Sequence, residues 1–236
     1  MAVHLEPIGI LHTCFKEKFG IPRQPNLVKE APGHLEFYPE FAREEALRAL
    51  EGFSHLWLIF LFHKAQNNKE RSWSPMVRPP RLGGNKKVGV FASRSPFHPN
   101  PIGLSGVALD QVEITDKGPV LHLSGVDILD QTPILDIKPY LPYSDSIAHA
   151  EDGFAKGPPK ADLWVEFTAP ALEEIKKKQI PHLKSIIQGI LENDPRPAYS
   201  RQTSQDRIYG IRLFDLDIKW TVDRDRVFVV SIEPVE

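Results

Sequence analysis

Apolar and polar residues alternate in short runs along the first two thirds of this chain, and few runs keep a helical period. Residues 5–12 read as a strand, followed by a loop with Pro22, Arg23, Gln24 and Pro25. Between 40 and 51, apolar residues recur at Ala42, Ala46, Leu47 and Leu50. With Pro39 before them and Gly52 after, that spacing predicts a short helix. Residues 53–62 are aromatic and apolar, which fits a buried strand, although pattern alone also admits a buried helix. Strand-like segments recur at 87–93, 104–114, 120–128 and 134–137, with turn residues between them. Such a succession, with no helix of about ten or more residues between strands, predicts an antiparallel sheet or barrel rather than a doubly wound sheet.

The pattern changes after residue 148. AHAEDGFAKGPPK, residues 148–160, is rich in small, charged and turn-forming residues and reads as a linker. Beyond it, 163–168 reads as a strand, and 171–179 and 182–192 as helices split by Pro181. Phe214, Leu216, Ile218 and Trp220 alternate with Asp215, Asp217 and Lys219, the mark of a half-buried strand. Residues 226–232 supply its partner. The predicted organisation is mainly β: an antiparallel β-barrel over 1–148 and a small α+β domain over 160–236.

Composition narrows this picture. The 22 prolines among 236 residues call for many fixed turns. The one cysteine, Cys14, forms no internal disulfide and builds no cysteine-rich metal site. The strongest apolar run, Leu56 to Phe62, is far shorter than the roughly 20 residues of a membrane helix. The N-terminal residues lack the pattern of a secretory signal. A cytoplasmic protein without a membrane segment is expected. The net charge of −2 does not announce a nucleic-acid partner, so any basic surface must be local.

Several signatures are missing. No glycine fingerprint follows a strand, no phosphate-binding loop is present, and the histidines show no metal-ligand spacing, so no metal is expected. The stretch from Ser72 to Leu109 contains no acidic residue, yet holds Arg78, Arg81, Lys86, Lys87, Arg94 and His98 and six prolines. It fits a rigid anion-binding surface, and equally a proline-pinned barrel rim with solvated cations. Asp136 and Lys138 lie two apart and face the same side of a strand. They read as a surface ion pair, or Asp136 reads as a proton acceptor in a cleft. In NDPRPAY, Arg196 sits between two prolines near Tyr199, which suits a phosphate and an unpaired base, or an ordinary rigid loop.

The strings PRQPNLV (22–28), VRPPRLGGN (77–85), GVFASRSPFHPNPIGLS (89–105), TPILDIKPYLPYSD (132–145) and DPRPAY (194–199) closely resemble the TsaA-like, or TrmO-type, tRNA methyltransferases. The match runs along essentially the whole chain. The resemblance implies a β-barrel that uses S-adenosylmethionine to methylate the exocyclic nitrogen of threonylcarbamoyladenosine, 3′ of the tRNA anticodon. It also implies a homodimer with the cofactor near the subunit contact. The cofactor residues it implies are Pro22, Arg23, Gln24, His63, Lys64, Arg94, Leu104, Gln131, Thr132, Pro133 and Ile134. Asp136 becomes the candidate base, with Tyr140 as an alternative hydrogen-bond partner. Arg78, Arg81, Lys86, Arg196 and Tyr199 become candidate tRNA contacts, and the small domain a docking element. The chain departs from the family pattern at Gln131, where glycine is expected, at His98 for arginine and at Ser93 for threonine. Glutamine resists the positive φ that glycine tolerates, so a backbone contact there requires negative φ. The rival readings are a non-enzymatic RNA-binding barrel and an enzyme acting on a small molecule.

Overall fold

A computed structural model describes residues 3–65, 74–159, 161–197 and 207–235. The strands of the first part are β1 (Gly9–Thr13), β2 (Pro32–Phe37), β3 (His55–Leu61), β4 (Met76–Val77), β5 (Val88–Gly89), β6 (Ile102–Thr115), β7 (Gly118–Ser124) and β8 (Thr132–Pro139). A single helical turn, α1 (Pro142–Asp145), follows. The second part runs β9 (Trp164–Phe167), α2 (Ala169–Lys178), α3 (Leu183–Glu192), β10 (Tyr209–Leu213), β11 (Leu216–Asp223) and β12 (Arg226–Pro234).

Six strands close a barrel in the order β1-β2-β7-β6-β3-β8, so the sheet has no free edge. Alternation sets what fills it. Leu56, Leu58 and Phe60 of β3 are buried, while Trp57, Ile59 and Leu61 between them are only half-buried. Leu11, Leu35, Val107, Leu121, Leu123 and Ile134 join them in the core. Gly9 packs tightly against backbone. A Cβ built there would lie 2.2 Å from the carbonyl oxygen of Glu36 on β2. Backbone cannot rotate away as a side chain can. Gly9→Ala is therefore expected to lower stability by about 1–3 kcal/mol or more. Chemical denaturation checks this, and an unchanged midpoint would contradict it.

The chain forms two compact units: residues 1–12, 33–124 and 131–156 make one, and 13–32, 125–130 and 157–236 the other. The join at 156/157 lies within the stretch read as a linker. Residues 13–32 and 125–130, however, belong with the C-terminal part. Within that unit, Phe214 N–H donates to the Cys14 carbonyl at 2.8 Å. Asp130 accepts from Thr13 N–H at 2.8 Å and from Lys16 Nζ at 2.7 Å. Burial pushes the Cys14 thiol up to about 12, so it carries no thiolate chemistry. The unit's sheet has the order β10-β11-β12-β9, with β9 parallel to β12. Thr168 caps α2 by accepting the Ala171 N–H. Leu183, Ile186, Ile187, Ile190 and Leu191 of α3 are buried, as is Trp220 of β11.

Some local expectations fail. Residues 40–51 form two short 3₁₀ turns, Glu44–Leu47 and Leu50–Gly52, instead of a helix. Arg48 leaves the helical region (φ −55°, ψ 128°) and Ala49 is left-handed (φ 69°), and of the spaced apolar residues only Leu47 is buried. Residues 87–93 give only β5 and a 3₁₀ turn, and β7 stops at Ser124. No helix among the described residues is long and apolar enough to cross a membrane.

Candidate active site

Three strands bring candidate residues to one end of the barrel. β3 leaves there toward His63 and Lys64, β6 enters with Ile102 and Leu104, and β8 enters with Thr132, Pro133 and Ile134. Ile59 pairs with Leu104 on one side and with Asp136 on the other. At roughly 4.8 Å per strand, the backbones of Leu104 and Asp136 are about 10 Å apart. Leu104 is 52% exposed, on the outer face of the barrel. Ile59 was not singled out from the sequence, although the two-residue period of β3 puts it on this face.

At the mouth of β8, Thr132 is 2% exposed and its Oγ1 lies 3.4 Å from His63 Nδ1. Gln131 has φ +61°, so glutamine holds the left-handed conformation expected of glycine. The condition of negative φ is not met. The turn survives the substitution, at a cost of about 1–2 kcal/mol for a residue with a Cβ. Ile134 points into the core, fully buried, and its carbonyl accepts from Ile8 N–H at 2.7 Å. It offers no side chain to a ligand.

The loop into β6 is pinned by its own side chains. Ser93 Oγ donates to the Val90 carbonyl at 2.7 Å, and Phe97 N–H to Ser95 Oγ at 3.2 Å. His98 Nε2 lies 2.9 Å from the Ser93 carbonyl, so the departures at 93 and 98 meet. Arg94 sits inside this frame and is exposed. Arg78, Arg81 and Lys86 are also exposed, and Arg81 Nη2 donates to the Lys156 carbonyl at 2.7 Å. The second unit carries Pro22, Arg23 and Gln24.

Asp136 Oδ1 accepts its neighbour's N–H from Ile137 at 2.8 Å, and Oδ2 accepts from Lys138 Nζ at 2.5 Å. The ion-pair reading is therefore realised. Tyr140 lies four residues beyond Asp136, roughly 13 Å along an extended chain. Its ring packs against Trp57, with centroids 5.5 Å apart. Arg196 is only 4% exposed and paired with Asp194 (Nε to Oδ1, 2.8 Å) near the Tyr209 ring. A guanidinium so enclosed braces its own loop, and the expected direct phosphate contact is withdrawn. Tyr199 lies outside the described residues.

A family model for the tRNA-methyltransferase O N-terminal domain matches residues 10–146, and one for the TrmO C-terminal domain matches 160–235. The chain belongs to the TrmO family. It is 42% identical over 231 residues to a tRNA (adenine(37)-N6)-methyltransferase of Escherichia coli, with 97% of each chain covered. It is 46% identical over 235 residues to a putative S-adenosylmethionine-dependent methyltransferase of Pseudomonas aeruginosa, with 98% of each covered. A crystal structure of TrmO from Pseudomonas aeruginosa superposes with TM-score 0.80 at 39% identity, covering 99% of both chains. The TrmO match spans barrel and small domain alike, in keeping with motifs quoted from both.

Proposed function

We propose that this chain transfers a methyl group from S-adenosylmethionine to the exocyclic nitrogen of threonylcarbamoyladenosine in the tRNA anticodon loop, 3′ of the anticodon. Methyltransferase activity, cofactor and tRNA substrate rest on TrmO membership along the whole chain. For the site, the carrying observation is the row Leu104–Ile59–Asp136 across three strands.

These residues fit the cofactor. The guanidinium of Arg94 suits its carboxylate in a fork that lysine cannot copy. Leu104 and Ile59 offer apolar surface, while the turn at Gln131 and the Thr132–His63 pair offer polar atoms beside it. When bound, the cofactor supplies a methyl group made electrophilic by its sulfonium. The residues of the chain have two tasks. The first is alignment of the acceptor nitrogen, worth roughly 7–11 kcal/mol when good. The second is removal of the proton from a nitrogen whose lone pair is delocalised between purine and carbonyl. Asp136 is the group for this, and Lys138 must swing aside from Oδ2 for it to act.

The reaction requires no metal, and the protein acts in the cytoplasm as a homodimer. Exposed Ile102 and Leu104, on one face with half-buried Ile59 and Leu61, support a subunit contact there. The second unit docks tRNA, which the lysines Lys176, Lys177 and Lys178 closing α2 favour. Arg94→Ala is expected to weaken cofactor binding about 10–150-fold, the worth of one charged hydrogen bond at roughly 1.5–3 kcal/mol, and to weaken tRNA binding less. Calorimetric titration with each ligand checks it, and a loss confined to tRNA would reassign the residue. The function itself is tested with labelled cofactor and total tRNA in the presence of chelator. Label should pass to tRNA. Tight tRNA binding without transfer would mark an RNA-binding barrel instead.

A further inference from the structure

β1 and β2 are neighbours in the barrel wall. His12 on β1 lies between buried Leu11 and Thr13. His34 and Glu36 on β2 flank buried Leu35. Alternation therefore turns all three outward from the core. The rings of His12 and His34 are stacked, with centroids 5.0 Å apart and planes 21° apart. His34 Nε2 lies 3.6 Å from Glu36 Oε1. One donor atom from each of the three residues lies within 4.8 Å of the others. Both histidines are half-buried, while Glu36 is exposed.

We propose that His12, His34 and Glu36 bind a divalent transition metal, Zn(II) foremost, at a site separate from methyl transfer. Two imidazoles and one carboxylate suit zinc, nickel or copper. Magnesium and calcium prefer all-oxygen sets. A tetrahedral zinc with bonds of about 2.0–2.2 Å needs donors roughly 3.3–3.5 Å apart. Closing from 4.8 Å takes only side-chain rotation, and the terminal torsions of histidine and glutamate are broad. The backbone frame is already fixed. Gly9, on the same strand as His12, lets β1 pack so closely on β2 that a Cβ there would meet the Glu36 carbonyl oxygen at 2.2 Å. Three protein donors leave a position for water, as in open zinc sites. The ion would tie β1 to β2, and β1 in turn pairs with Thr132, Pro133 and Ile134. It would stabilise the strand beside the candidate cofactor segment, without touching the reacting atoms. His12 lies well before the His34–Glu36 pair in sequence, so no local spacing motif announces the full set.

The test uses the full chain, free of any histidine tag and stripped by chelator. Co(II) is titrated while its visible d–d absorption is followed, and Zn(II) is then added in competition. One equivalent should bind and be displaced by zinc. His12→Ala and His34→Ala should each weaken binding by at least about tenfold, the least that loss of a supporting residue gives at metal sites. Glu36→Gln, a conservative change at an exposed position, should weaken it in the same direction. Zn(II) should raise the melting temperature of the unsubstituted protein and not that of His34→Ala. Circular dichroism and S-adenosylmethionine binding, unchanged in the variants, show that they are folded. The proposal is overturned if no stoichiometric Co(II) binding occurs, or if folded His12→Ala and His34→Ala bind as well as the parent.

Discussion

Asp136→Asn is expected to lower kcat for tRNA methylation about 10²–10⁴-fold, the usual contribution of a positioned proton acceptor. Cofactor affinity should stay nearly unchanged, since the substitution removes basicity and keeps size. Folding should also survive, because the amide oxygen can still accept the Ile137 N–H that Oδ1 accepts now. Lys138→Ala provides the complementary measurement. It frees Oδ2 from the ion pair and leaves Asp136 in the row with Ile59 and Leu104, so kcat should not fall with it. Single-turnover kinetics at saturating cofactor separates chemistry from binding. A loss of less than about tenfold in Asp136→Asn would leave alignment as the main source of rate and remove the base from the account.

The second large effect concerns the modified base. tRNA with plain adenosine at the target position should be methylated with kcat/KM lower by about 10–10⁴-fold than tRNA with threonylcarbamoyladenosine. The modification brings a carboxylate. One or two charge-assisted hydrogen bonds to it are worth roughly 1.5–3 kcal/mol each, and about 1.36 kcal/mol makes a decade. The estimate stays below the roughly 10⁴–10⁵ of enclosed polar sites because Arg78, Arg81 and Lys86 are all exposed. Arg81 ranks first, since its fork suits a carboxylate. Arg81→Ala should then lower methylation of modified tRNA while overall tRNA affinity and its salt slope barely move. Equal weakening for modified and unmodified tRNA, with a slope smaller by about one, would make Arg81 a phosphate contact instead.

The barrel was legible because short strand-like segments follow one another with turn residues between them. The run 53–62 read as a buried strand or a buried helix, and the absence of long helices between strands excluded a doubly wound sheet. β2 and β10 went unread, since PGHLEF and YGIRL mix glycine with charged residues and carry a weak period. The spacing of Ala42, Ala46, Leu47 and Leu50 misled, because tertiary context breaks the segment at Arg48 and Ala49. Segment 13–32 appeared to belong to the barrel. Its place in the second unit depends on contacts such as Cys14 with Phe214, which lie far apart along the chain. The motif residues were found by resemblance, and their grouping came from strand register. Asp136 and Leu104 share a row only because both pair with Ile59. Arg196 shows the limit of motif reading. The two prolines that suggested a rigid phosphate contact flank an arginine whose guanidinium is already held by Asp194.

The central claim is the identity of the methylated atom. The most direct measurement digests tRNA treated with the protein and S-adenosylmethionine to nucleosides and resolves them by mass spectrometry. The tRNA should come from cells lacking this methylation but retaining threonylcarbamoyladenosine. The account predicts that the threonylcarbamoyladenosine peak is replaced by one heavier by a single methyl group, with fragmentation placing it on the exocyclic nitrogen. A methyl group on any other nucleoside, or an unchanged threonylcarbamoyladenosine peak beside consumed cofactor, would contradict it.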